Sequence, residues 1–383
     1  MKLLVVGIGY RSASPELLAA LAAGTAQIPQ VLSELLGSSD VAEALVVSTC
    51  NRVEVYAAVR SFHGALSDIA TVLARRSGVA LTELAPALYA HYADEAVRQI
   101  FTVVTGLDSL VQGERQVLGQ VRTAYAKATR AGAVGSTLHE VMQRALRAGK
   151  RVHAQATVAG TGPCMADSAL RLGVKEFGSL RGVNALVVGA GEMGTLAAAA
   201  LRDHGVAELT ILSRSLRRAH VLAATVGAQP ATLDQLGAAL CQVDVAVFAT
   251  RSPQPVLDAS VAAPRLARPD PLLLVDLAMP ADISPRLEIG PGVTLVNLAS
   301  LAAASELVGA TASQQVAAIR RILSEELAAF TADRRTAELT PMIVALRERA
   351  QQLVRREMST LSVRAPRLTE AERADVARAM RRL

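Results

Sequence analysis

The run Gly189-Ala-Gly191-Glu-Met-Gly194 restricts this chain most, because of what surrounds it. An apolar stretch (185–188) leads into it and an apolar helical stretch (195–202) leads out. Glycines at that spacing between a strand and a helix permit a tight turn and let backbone amides approach a pyrophosphate at the helix N-terminus. Further short apolar runs at 209–212, 243–249, 272–275 and 293–296 alternate with helical stretches, which predicts a parallel sheet with crossover helices. The chain has 383 residues, room for two or three domains. With 51% apolar residues but only 5 Phe, 5 Tyr and no Trp, its core must be built from Ala, Leu and Val.

The strand 209–212 ends at Ser213-Arg214-Ser215. A site selective for NAD offers an acid there to hold the ribose 2′-hydroxyl. Hydroxyls and a guanidinium instead receive a 2′-phosphate, so the cofactor expected is NADPH. The residues expected to bind it are Gly189, Gly191, Glu192, Met193, Gly194, Ser213, Arg214 and Ser215, with Arg217 and Arg218 read as solvated helix charges.

Two different segments flank this region. Before it, strands are expected at 3–8, 44–47 and 53–58, and helices at 15–23, 28–36, 94–104, 113–131 and 137–155. The last of these carries Arg144, Arg147, Lys150 and Arg151 on one basic face. A break at Ala159-Gly160-Thr161-Gly162-Pro163 suits a domain border. After residue 301 the strands stop, and amphipathic helices at 314–330, 341–358 and 369–383 must bury their apolar stripes against each other or a second copy. The three domains expected are therefore 1–158, 159–303 and 304–383. The formal charge is +6, but 36 of the 40 basic residues are arginines, a compositional bias that by itself says nothing about nucleic acid. Cys50, Cys164 and Cys241 make neither a disulfide framework nor a metal spacing, and the six histidines make no ligand pattern. No apolar run reaches the roughly 18 residues of a membrane span. The start reads as a strand rather than a signal peptide, so the expected setting is the cytoplasm.

The polar corner Ser48-Thr49-Cys50-Asn51-Arg52 lies between two of the expected strands. If Cys50, Arg52 and Glu54 are locally extended, their side chains share one face. A guanidinium near a thiol favours the reactive thiolate, and it could equally hold a substrate carboxylate. A nucleophilic thiol beside a nicotinamide site suggests thioester chemistry, in which hydride reduces the thioester to an aldehyde.

The stretch Ser48-Thr-Cys-Asn-Arg-Val-Glu-Val-Tyr56 resembles the signature of glutamyl-tRNA reductases, the first enzymes of tetrapyrrole synthesis from glutamate. Gly106-Leu-Asp-Ser-Leu-Val-Gln-Gly-Glu114, followed by Gln116-Val-Leu-Gly-Gln120, is similar to the family's second signature. Arg147-Ala-Gly-Lys-Arg151, the glycine turn and Val275-Asp-Leu-Ala-Met-Pro-Ala-Asp-Ile283 fall in family order, so the similarity runs from Met1 to about Leu368. The resemblance implies an N-terminal α/β catalytic domain, a Rossmann-like NADP domain and a C-terminal helical dimerisation domain on a long spinal helix. It implies Cys50 as nucleophile and a substrate pocket of Thr49, Arg52, Ser109, Glu114 and Gln120. It also implies NADPH-dependent reduction of glutamyl-tRNA to glutamate-1-semialdehyde, in a homodimer, with the aminotransferase that takes up this product as a partner by analogy.

The chain departs from the family at several places. Gln99 stands where the family usually has a histidine, ten residues ahead of Ser109, and an amide cannot titrate near neutrality. Gln99 is therefore a candidate site residue of altered role. Tyr10 replaces another usual histidine, Cys164 a serine, and Ala281 the arginine of Pro-Arg-Asp. The closing stretch is expected to be shorter than the family's, with a trimmed dimer domain. These departures leave open two alternatives: a non-catalytic binder of tRNA or a pathway partner, and a reductase of a different aminoacyl donor.

Overall fold

The computed structural model describes residues 1–49, 51–114, 116–156, 164–308, 314–365, 367 and 369–380. The expected break at 159–163, and with it the border at 158/159, lies outside them. The strands in chain order are β1 (Lys2–Gly9), β2 (Val41–Ser48), β3 (Arg52–Val59), β4 (Tyr89–Tyr92), β5 (Ala185–Val188), β6 (Leu209–Ser213), β7 (Gln229–Thr232), β8 (Val245–Phe248), β9 (Leu272–Asp276) and β10 (Val293–Asn297). They form two sheets inside one compact unit, Met1–Ser324.

The first sheet has the order β2-β3-β1-β4 and is antiparallel throughout. Every residue of β3 is buried, so both faces of this central strand are covered. Polar side chains there must satisfy one another, because an unpaired buried polar group costs about 1–3 kcal/mol. Arg52, Glu54 and Tyr56 alternate onto one face and do so. Gly7, paired with Glu54, makes the room: a Cβ there would lie 2.8 Å from Glu54 Cγ and 2.4 Å from the Val53 carbonyl oxygen.

The second sheet is parallel, with the order β7-β6-β5-β8-β9-β10. Chain order reverses between β5 and β8, the switch point where an open α/β sheet leaves a crevice at its C-terminal edge. Ala185 and Val187 of β5 join one buried cluster, with Ile211, Val247 and the helix Met165–Phe177. Leu186 and Val188 join another, with Leu212 and Phe248. That double burial explains why these strands read as continuous apolar runs. The expected α/β-plus-helical architecture is what the structure has.

Two further differences concern single prolines. β7 contains Pro230 and lies at a sheet edge, the place where a missing N–H is tolerated, yet the proline hides it from sequence inspection. The helices expected at 314–330 and 341–358 are one helix, Gln314–Arg364, which runs through position 341. Proline costs a helix interior about 3 kcal/mol, but Ala, Leu, Glu, Gln and Arg on both sides favour the helix strongly enough to carry it across. Among the described residues, the second compact unit, Glu325–Leu383, holds the continuation of that helix and the helix Glu370–Met380. Among the described residues no helix is long and apolar enough to cross a membrane, and no group of His, Cys, Asp and Glu could hold a metal.

Candidate functional site

A densely bonded polar group centres on Arg52, at the start of β3. Its side chain is 2% exposed and would be costly to bury alone. Nη1 donates to Asp108 Oδ2 at 2.8 Å and to Glu54 Oε1 at 3.3 Å, and Nη2 donates to the Asp108 carbonyl oxygen. Burial works against the guanidinium charge, but Glu54 and Asp108 outweigh it, and the group is held firmly protonated. Glu54 is fully buried and has a full set of donors. Oε1 also accepts from Tyr89 Oη at 2.7 Å and Gln99 Nε2 at 2.9 Å, and Oε2 accepts from Tyr56 Oη at 2.7 Å. Burial, then the Glu54 carboxylate, push both phenols up, so they remain donors.

Asp108 is the outer partner, with 24% of its side chain exposed. It also pairs with Arg11 and receives a longer bond of 3.4 Å from Gln99. Burial raises its carboxyl, but Arg52 and Arg11 bring it below the usual carboxylate range. The loop that carries it continues to Ser109 and Glu114, both buried. Gly106 has a φ of +75°, which glycine adopts without strain, and its carbonyl accepts from the Gly113 N–H at 2.8 Å, closing the loop. Glu114 is 4% exposed; burial pushes its carboxyl up to about 7 against the opposing Ser109 hydrogen bond and the Arg52 charge. Its Oε2 has no hydrogen-bond partner among the described residues, a buried acceptor left open.

The Thr49 N–H donates to the Arg52 carbonyl at 2.9 Å, and Thr49 Oγ1 accepts from the Asn51 N–H at 3.2 Å, which shapes the β2–β3 corner. Cys50 lies outside the described residues. Thr49, Arg52, Gln99, Ser109 and Glu114 thus belong to one neighbourhood. The side chain of Gln120, in the helix Gln116–Arg130, makes no hydrogen bond among the described residues and does not join that network. Cys164 is half-buried, and burial pushes its thiol up, away from reactivity. Nothing in the sequence pattern singles out Tyr89. Asp108 stands beside Ser109 in a signature, and Glu54 shares the strand face of Arg52, so both carried a signal.

The second feature is a cavity of about 380 Å³ at the C-terminal ends of β5, β6 and β8. Gly189 and Gly191 line it, with Ser213, Arg214, Ser215 and Arg218 on one side and Thr250, Arg251 and Ser252 on another. Gly189 has a φ of +120°, and a Cβ at Gly194 would fall 1.8 Å from the Gly189 carbonyl oxygen, so the turn closes only with glycines. A Cβ at Gly191 would meet nothing within 4 Å, which leaves the backbone open to a ligand. Glu192 is exposed at the helix start, and Met193 packs on the core, so neither lines the cavity. Arg218, expected to be a solvated charge, is instead a lining residue, while Arg217 is not. No carboxylate lines the cavity among the described residues, and the side chains of Ser213, Arg214, Ser215 and Arg218 offer it hydrogen-bond donors. Asp282, at the end of the loop after β9, fixes the far wall by accepting from the Thr250 N–H at 2.7 Å and from the Thr250 hydroxyl.

The two features share a support. Leu110, from the loop that holds Asp108 and Ser109, lies in the same buried cluster as Met165 and Val187 beneath the parallel sheet.

Residues 6–156 match the family model of the glutamyl-tRNA(Glu) reductase N-terminal domain, 171–304 that of shikimate/quinate 5-dehydrogenase, and 318–383 that of the glutamyl-tRNA(Glu) reductase dimerisation domain. The chain is similar to the glutamyl-tRNA reductase of Salinispora arenicola, 43% identical over 388 residues, covering 100% of this chain and 85% of that protein. It also resembles the solved structure of glutamyl-tRNA reductase from Methanopyrus kandleri, 27% identical over 99% of this chain and 98% of that one, with a TM-score of 0.45. The solved shikimate 5-dehydrogenase from Thermus thermophilus in complex with NADP(H) and shikimate is 24% identical over 42% of this chain and 62% of that one, with a TM-score of 0.28.

Proposed function

The chain belongs to the glutamyl-tRNA reductase family, and on that premise we propose that it reduces glutamyl-tRNA to glutamate-1-semialdehyde with NADPH through a thioester at Cys50. The observation that carries this reading is the buried Arg52, a fixed cation whose outer partner Asp108 is partly exposed. The substrate's side-chain carboxylate takes the place of Asp108 on Arg52, one carboxylate for another, so the buried charge stays paired. Its α-ammonium meets the open Oε2 of Glu114. Held at both ends, the glutamyl group presents its ester carbon to the β2–β3 corner.

The Cys50 thiolate attacks that carbon, a C–S bond forms, and the ester C–O bond breaks. The 3′ oxygen of the tRNA leaves with a proton. When bound, NADPH supplies the hydride that turns the thioester into an aldehyde and returns the thiolate. Gln99 keeps Glu54 and Asp108 in register for Arg52 and moves no proton itself. Arg214 and Arg218 hold the 2′-phosphate, and Thr250, braced by Asp282, forms the opposite wall.

The working form is a homodimer. In the second unit Leu339, Met342, Leu346 and Leu353 are 53%, 70%, 70% and 55% exposed, and their spacing of three, four and seven residues is that of a helix-pairing stripe. Incubating the enzyme with charged tRNA and NADPH and assaying the aldehyde tests the reading. Aldehyde formed in proportion to NADPH consumed is the expected result, and release of free glutamate alone would refute it.

A further inference from the structure

The +6 charge is not spread over the chain. Residues 331–383 carry 12 basic and 7 acidic residues, which leaves +1 for residues 1–330. Within those, residues 116–156 hold seven basic residues and one acid, Glu140, or +6, so the rest of the first 330 residues sums to −5. A compositional bias toward arginine does not concentrate charge in this way. The segment is two helices, Gln116–Arg130 and Ser136–Ala156, held side by side by a 2.6 Å hydrogen bond between Tyr125 Oη and His139 Nδ1.

The cations lie on the solvent side. In the first helix Val117, Val121, Tyr125 and Ala128 are buried, and Arg122, Lys127 and Arg130 project from the opposite arc. In the second, Arg147 and Lys150 are exposed, and Val141, Ala145, Ala148 and Val152 are buried. None of these five cations forms a salt bridge among the described residues, in contrast to Arg11, Arg52, Arg75, Arg76 and Arg171. Arg130 and Arg147 touch only carbonyls of their own helices. Unneutralised cations on a rigid helical pair are a surface for polyanions. No large apolar residue of either helix is exposed among the described residues, whereas a helix that inserts into a lipid surface needs an apolar face.

We infer that the exposed face of these two helices docks the duplex of the tRNA substrate by its phosphates. The inference rests on the function proposed above and adds where the RNA body sits. The loop carrying Asp108, Ser109 and Glu114 leads within two residues into the first of these helices. A duplex lying on the helices therefore keeps its acylated 3′ single strand beside Arg52 and Glu114. Phosphate contacts fix register and orientation and carry no sequence information, so this face positions the tRNA without selecting it.

The test uses the full-length protein with Arg122→Gln, Lys127→Gln, Arg130→Gln, Arg147→Gln and Lys150→Gln, singly and combined; all are exposed helix positions that accept glutamine. Binding of deacylated tRNA is followed by fluorescence anisotropy across a salt series. Each neutralised phosphate contact should lower the log Kd against log salt slope by about 1, and the five-fold variant should bind at least tenfold more weakly. Single-turnover reduction of 3′-O-glutamyl-adenosine, which has no duplex, should fall far less than that of charged tRNA. A five-fold variant with unchanged tRNA affinity and salt slope overturns the inference. So does a variant that loses binding only to vesicles containing phosphatidylserine. Wild-type protein that binds tRNA through these residues but forms no aldehyde overturns the proposed function and leaves the docking face standing.

Discussion

Replacing Glu114 by Gln should make the protein more stable at pH 8 and leave it nearly unchanged at pH 4.5. In the folded chain burial pushes this carboxyl up to about 7, from the 4.5 expected when it is exposed. Below pH 4.5 folded and unfolded chains both carry the proton, and the buried position costs nothing. Between pH 4.5 and 7 the folded chain keeps a proton that the unfolded chain has lost, so stability falls as pH rises. Above pH 7 both are ionised and the loss is complete. At about 1.4 kcal/mol for each tenfold difference in proton affinity, the full loss is about 3 kcal/mol. Glutamine keeps the shape and an acceptor for Ser109 but never ionises. Urea unfolding of both proteins at pH 4.5, 6 and 8 should show the glutamine variant gaining steadily, to about 3 kcal/mol at pH 8. An equal difference at all three values, or a less stable variant at pH 8, would refute the reasoning. The same substitution should raise KM for glutamyl-tRNA, because the strained carboxylate is what an ammonium relieves.

Arg214→Glu and Arg218→Glu should each weaken NADPH by about 10–100-fold, as expected for a lost charge-assisted hydrogen bond of about 1.5–3 kcal/mol, and NADH far less; equal losses in calorimetric titrations would make the arginines structural. Gln99→Leu removes the donor shared by Glu54 and Asp108 and should lower kcat/KM about tenfold, roughly 1.4 kcal/mol, with NADPH affinity intact, whereas Gln99→His should introduce a pH dependence near 6–7 that the natural protein lacks; a flat profile would show that the position holds its neighbours and nothing more. Light scattering should give twice the 40.0 kDa chain mass, and Leu346→Glu should halve it; a natural chain that is monomeric at micromolar concentration would contradict the dimer.

The parallel sheet was legible because its strands are buried on both faces and bounded by turn residues, so apolar runs and glycines mark them directly. The hairpin around Arg52 was legible because a polar corner interrupts two apolar runs. What Arg52 touches was not. Asp108 reaches it across 56 residues of chain, and no local pattern encodes a contact of that separation. Two carboxylates share the guanidinium, a pairing that the polar corner alone does not announce, while Cys50, its expected neighbour, lies outside the described residues. Tyr89 sits on a four-residue strand too short for alternation to reveal, although its hydroxyl is one of the closest donors to Glu54. Arg218 follows Arg217 on an exposed helix start, and only the folded position of that helix beside the cavity decides which of the two lines it. Local chemistry was readable wherever neighbours in sequence are neighbours in space, and it failed where the sheet brings distant segments together.

The proposed reaction passes through a covalent glutamyl enzyme at Cys50. Protein mixed with glutamyl-tRNA labelled in the glutamyl group, without NADPH, should retain label through denaturation and release it to hydroxylamine. Added NADPH should discharge that label as aldehyde in a single turnover, and Cys50→Ser should retain none while binding NADPH normally. Wild-type aldehyde formation by the Cys50→Ser protein would contradict the account.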